Sequence, residues 1–130
     1  MTSVVSCAIT IAAPPEEVHP YFTDADLMLQ WMGQRAELDA HPDGRFAVDI
    51  NGSLVRGRYL VVTPERIVFT WGFAGSAELP PGSSTVEVTF ARCPEGTEVT
   101  IRHTDLPASE RPDHSRGWRH FGHELASALG

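Results

Sequence analysis

Apolar and polar positions alternate along most of this chain and give way near its end to a helical spacing. A first strand is predicted over 4–11, with Val5, Cys7, Ile9 and Ile11 on one face. Pro14, Pro15, Glu16 and Glu17 then open a helix, because proline is tolerated in the first turn and carboxylates favour the positive end of the helix dipole. Pro20 cuts that helix short, and Asp24 caps a second one carrying Leu27 and Trp31 and ending at Gly33. Strands follow over 35–40, 45–50, 53–62, 66–73, 85–92 and 97–104. The turns between them have recognisable chemistry: His41-Pro42-Asp43-Gly44, Asn51-Gly52, Thr63-Pro64-Glu65 and Cys93-Pro94-Glu95-Gly96, with a long Gly/Pro/Ser-rich loop over 74–84. His114, Trp118, Phe121, Leu125 and Ala128 mark the apolar stripe of a last helix over 113–129.

This order predicts one α+β domain over 1–130, an antiparallel sheet of about seven strands curling around the C-terminal helix. A strongly curved sheet leaves space between itself and the helix, to be filled by aromatic side chains or kept as a pocket. The alternation turns Phe46, Val48, Ile50, Val55, Tyr59, Val61, Ile67, Phe69, Trp71, Val88, Phe90, Ile101 and His103 inward. The helix adds His114, Trp118 and Phe121, and Trp31 is placed to close one mouth of the space. These residues define two readings, a close-packed core or a cavity for a small apolar ligand.

Composition narrows the function. The 130 residues carry a formal charge of −7, which argues against nucleic acid and disfavours an anionic membrane surface. No segment approaches the ~20 apolar residues of a membrane span, and the apolar N-terminus reads as a strand rather than a signal peptide. All ten basic residues are arginine, which excludes lysine Schiff bases and P-loops. Cys7 and Cys93 lack ligand or CxxC spacing and read as reduced thiols of a cytoplasmic protein.

Ala12-Ala13-Pro14-Pro15-Glu16-Glu17-Val18 after the first strand, within this order of elements, resembles the START-like (SRPBCC) superfamily across nearly the whole chain. Phe22-Thr23-Asp24-Ala25-Asp26-Leu27 leading to Trp31, and Gly117-Trp118 followed by Phe121 and Leu125, are similar to the branch of homologues of the activator of heat-shock protein 90 ATPase. The resemblance implies a helix-grip fold with an apolar ligand cavity. The superfamily spans lipid carriers, hormone receptors, polyketide cyclases and chaperone regulators, so the fold does not decide the function. Pro20 departs from the longer first helix usual there, and a chain opening on its first strand is not expected to carry the N-terminal domain of eukaryotic chaperone activators.

The leading expectation is a non-catalytic binding module for a small hydrophobic or aromatic ligand. Its cavity would be lined by Trp31, Phe46, Val48, Tyr59, Phe69, Trp71, Val88, Phe90, Ile101, His103, His114, Trp118 and Phe121, with no cofactor and no metal. An alternative is a cyclase or aromatase in which His103, with Tyr59 or His114, performs acid–base work on a carbonyl compound. A further one is a regulator of a heat-shock protein 90 ATPase acting through its outer surface; a chaperone partner and a homodimer both remain open. His120 and His123 have a metal-compatible spacing but read as a solvated helix face, and Arg56 and Arg58 as outward partners of Glu87.

Overall fold

The structure, a computed structural model, describes residues 4–130; residues 1–3 of the expected domain lie outside it. Seven strands form one antiparallel sheet: β1 (Val5–Ile11), β2 (Arg35–Leu38), β3 (Arg45–Ile50), β4 (Ser53–Val62), β5 (Arg66–Trp71), β6 (Ser84–Cys93) and β7 (Gly96–Thr104). The spatial order is β1-β7-β6-β5-β4-β3-β2, a meander from β2 to β7 with the first strand added beside the last. Two short helices, α1 (Pro15–Val18) and α2 (Ala25–Met28), follow β1, and the long helix α3 (Arg111–Leu129) ends the chain. This is the helix-grip architecture that the sequence predicts.

The local chemistry explains the boundaries. The first α-helix is short, as Pro20 predicts, ending at Val18; the chain continues as a 3₁₀ turn over His19–Phe22 with Pro20 in its first turn, where a missing N–H is harmless. The Asp24 carboxylate accepts from the Leu27 N–H at 3.1 Å, capping α2, and Gly33 ends that region at φ +81°. Asn51 and Gly52 adopt φ +48° and +89°, the primed hairpin turn their pairing favours. Asp43 takes φ +68° within the Pro42 turn, which closes through Gly44 N–H to the His41 carbonyl at 2.8 Å.

Three expectations are corrected. A bulge between Tyr59 and Val61 shifts the register, so that Tyr59 faces Phe69 but Val62, not Val61, faces Ile67 and packs on the core. Helix α3 starts two residues before Asp113, with Pro112 in its first turn where the missing N–H is harmless. Its buried positions are His114, Trp118, Gly122 and Leu125, while Phe121 is only partly covered. Finally, Glu87 pairs with Arg66 and Arg102, because β5 and β7 flank β6; Arg56 on β4 pairs instead with Asp49 at 2.8 Å.

The core lies between the sheet's concave face, α3 and the short helices. Phe46 and Phe69 stack with centroids 4.0 Å apart, and Phe22 packs on both Trp31 and Phe90. Burying side chains of this size stabilises the fold by roughly 1.5–3 kcal/mol each. Helix α3 packs against β1 at Gly122, where a Cβ would lie 3.4 Å from Ile9 and 3.8 Å from Cys7 Sγ. That close seat on β1 leaves the other flank of the helix's first half standing away from the β3–β4 hairpin.

Candidate functional site

A cleft of about 280 Å³ opens to solvent between the first half of α3, the tip of the β3–β4 hairpin and the end of β5. Its aromatic wall is Trp71, Phe73, Trp118 and Phe121; Ile50 and Gly117 extend it, and Ser53, Glu110, Asp113 and His114 are its polar groups. The helical contributors Glu110, Asp113, His114, Gly117, Trp118 and Phe121 are spaced three, one, three, one and three, which is one continuous face of a helix. At Gly117 a Cβ would have no neighbour within 4 Å, so the glycine holds the cleft open at mid-wall.

Behind this wall runs a chain of polar contacts with fixed donor roles. Trp118 Nε1–H donates to His103 Nδ1 at 3.0 Å. An indole nitrogen can only donate, so the proton of the neutral His103 ring sits on Nε2 and is given to Ser84 Oγ at 2.8 Å. Ser84 in turn donates to the Trp71 carbonyl at 2.7 Å. Trp71 Nε1–H donates to His114 Nε2 at 3.2 Å, and His114 Nδ1–H donates to the Glu110 carbonyl at 2.9 Å. Every ring nitrogen of the two tryptophans and two histidines is thereby occupied.

His103 is fully buried, and burial, assisted by the nearby His114, pushes its pKa down to about 3. A second proton would set its Nδ1–H against the Trp118 N–H. Tyr59 is equally buried; its hydroxyl donates to the Phe22 carbonyl at 2.8 Å, and desolvation raises its pKa well above the usual phenol value. Both groups are satisfied within the fold and neither lines the cleft.

Of the residues singled out from the sequence, the structure brings Trp71, His114, Trp118 and Phe121 together at the cleft. Phe46, Val48, Tyr59, Phe69, Val88, Phe90, Ile101 and His103 pack in the core beneath it. Trp31 is buried beside Phe121, its ring 6.4 Å from that residue's and its Nε1–H given to the Tyr21 carbonyl at 2.9 Å. Sequence reasoning missed Ile50's place in the wall, Ser53, Phe73, Glu110, Asp113 and Gly117. Asp113 and Gly117 lie inside the predicted helix, each one residue before His114 and Trp118, so the signal for them was that adjacency; Pro112 was the signal for the earlier start that leaves Glu110 at the helix N-cap. His120 and His123 are exposed, and no group of three His, Cys, Asp or Glu converges as for a metal among the described residues.

Residues 12–130 match the model of a family described as "Activator of Hsp90 ATPase homolog 1-like protein". The chain is 28% identical over 124 residues to the human "Activator of 90 kDa heat shock protein ATPase homolog 1", covering 91% of this chain but only 35% of the human protein. It is therefore about a third of the length of the curated relatives it matches. An AHSA1-like protein from Rhizobium etli, solved in solution, superposes with a TM-score of 0.77 at 35% identity, over 100% of this chain and 84% of that one. DynU16, a protein of the dynemicin biosynthetic locus, superposes at 0.86 with 26% identity, over 99% of this chain and 48% of that one.

Proposed function

The chain belongs to the Activator of Hsp90 ATPase homolog 1-like family, and from that premise we propose that it is a START-like binding module for a small aromatic ligand held in the α3 cleft. The observation that carries this reading is the aromatic wall of Trp71, Phe73, Trp118 and Phe121 around about 280 Å³ of space, backed by a hydrogen-bond chain that locks both indoles. Sites for drug-sized ligands run from about 300 to 1,000 Å³, so this one suits a molecule of one or two rings. The ligand would lie at the mouth of the fold, above the packed core rather than deep within it.

The acid–base reading through His103 gains no support from the geometry, because that ring is buried, committed on both nitrogens and screened from the cleft by Trp118. Regulation of a heat-shock protein 90 ATPase draws support from the 28% identity to the human activator. It would operate through the outer surface and be indifferent to the cleft. Titration with phenethyl alcohol, followed by tryptophan emission, separates the two: a saturable change supports the binding module, and its absence leaves the outer surface.

A further inference from the structure

The cleft is rich in acceptors and poor in donors. Both indole N–H groups are spent inside the fold, on His114 and His103, so neither tryptophan has a donor left for a ligand. His114 has both ring nitrogens engaged, and no arginine is among the lining residues. What lines the space is a set of aromatic rings, whose faces carry partial negative charge, together with the Ser53 hydroxyl and the carboxylates of Glu110 and Asp113. Trp71 lies 5.3 Å from Trp118 and 6.2 Å from Phe73, with the ring planes tilted by 50° and 71°, so the rings form an angled cage rather than a flat shelf.

Resting on the reading of the cleft as a ligand site, we infer that it selects cationic aromatic ligands of the aryl-alkylamine class. The ring packs among Trp71, Phe73, Trp118 and Phe121, and the ammonium reaches the Glu110 carboxylate. Aromatic faces attract a cation placed within about 6 Å of their centroids, and most strongly when the cation is partly desolvated. Asp113 is largely exposed and already engages Arg116, one helical turn away, so it contributes less than Glu110, whose side chain is 27% exposed. The positive end of the α3 dipole opposes a cation with about half a charge, and the full charge of Glu110 outweighs it. The net charge of −7 draws cations toward the protein as a whole and repels anionic analogues.

The test compares three phenyl compounds of nearly equal size on the intact protein: phenethylamine, phenethyl alcohol and hydrocinnamate, each titrated by tryptophan emission and by calorimetry. The amine is expected to bind at least about ten-fold tighter than the alcohol, and hydrocinnamate more weakly than either. In Glu110→Gln the ratio of amine to alcohol affinity is expected to fall to about three-fold or less, whatever happens to the absolute values. The wild-type series needs no variant, so it stands even if Glu110→Gln folds poorly. Alcohol binding with no preference for the amine, or a preference that survives Glu110→Gln, overturns the selectivity while leaving the ligand site intact. No saturable binding by any of the three overturns both.

Discussion

Trp118 donates its indole proton to Nδ1 of His103 across 3.0 Å, and this single contact fixes the tautomer of a histidine that has no access to water. The residue that lines the cleft on one side therefore holds a buried polar group on the other. A buried acceptor stripped of its donor costs ~1–3 kcal/mol, beyond any loss of packing. Trp118→Phe is expected to destabilise the protein by about that amount, and Trp118→Ala by ~3–5 kcal/mol. Urea denaturation of the two variants checks this; equal stability of Trp118→Phe and wild type would mean the contact to His103 is not made.

The same ring ties stability to acid. His103 titrates near 3 in the fold against about 6.5 when unfolded, so between those values the unfolded chain holds a proton that the native one does not. Its contribution is complete above pH 6.5 and is lost as the pH falls toward 3. His103→Gln removes that proton from the balance. It should be less stable near neutrality yet lose stability less steeply in acid, by up to about 1.4 kcal/mol per pH unit. Denaturation midpoints followed from pH 7 downward should diverge in this way, and parallel curves would show that His103 is not held neutral.

Two glycines of β4 and its turn should respond differently to the same substitution. Gly52 sits at φ +89° with nothing within 4 Å of a Cβ, so Gly52→Ala strains only the backbone, by ~1–2 kcal/mol. Gly52→Val adds β-branching to the same strain and should cost more. At Gly57 a Cβ would fall 1.9 Å from the Thr70 carbonyl, which cannot move without breaking the sheet. Gly57→Ala is expected to lower the thermal midpoint further than Gly52→Ala; the reverse order would contradict the β4–β5 approach described above.

Most of the fold was legible because its instructions are local. Asn51-Gly52, Asp24 and the Pro42 turn each act within a few residues, and the alternation around Phe69 and Val88 assigns the inner face directly. The bulge at Leu60 was not legible, since an unbroken apolar run over 59–62 reads equally well with either Val61 or Val62 inward. Nor was the burial of Leu79, from a loop whose backbone returns to Phe73 through a 2.8 Å hydrogen bond. The site was half legible. Trp71, His114, Trp118 and Phe121 stand out as large side chains on the right faces, whereas Glu110 enters only because the helix begins at Arg111, and Asp113 and Gly117, inside the predicted helix, matter only because that helix seats on β1. Periodicity says which side chains turn inward; the tilt of a helix on a sheet decides which of them meet open space.

The binding reading turns on whether the space beside Gly117 is where a ligand lies. A leucine there projects into the cleft and replaces a helix-interior glycine with a strong helix former, worth about 0.8–1.0 kcal/mol in the favourable direction. Val88→Trp, in the close-packed core, should instead strain the fold by ~1–3 kcal/mol. The most direct measurement is the tryptophan-emission titration of phenethyl alcohol on wild type and on Gly117→Leu, with melting temperatures taken alongside. Saturable binding to wild type, abolished in a Gly117→Leu protein that melts at the same or a higher temperature, is the expected result. Undiminished binding to Gly117→Leu, or no saturable binding to wild type, would contradict it.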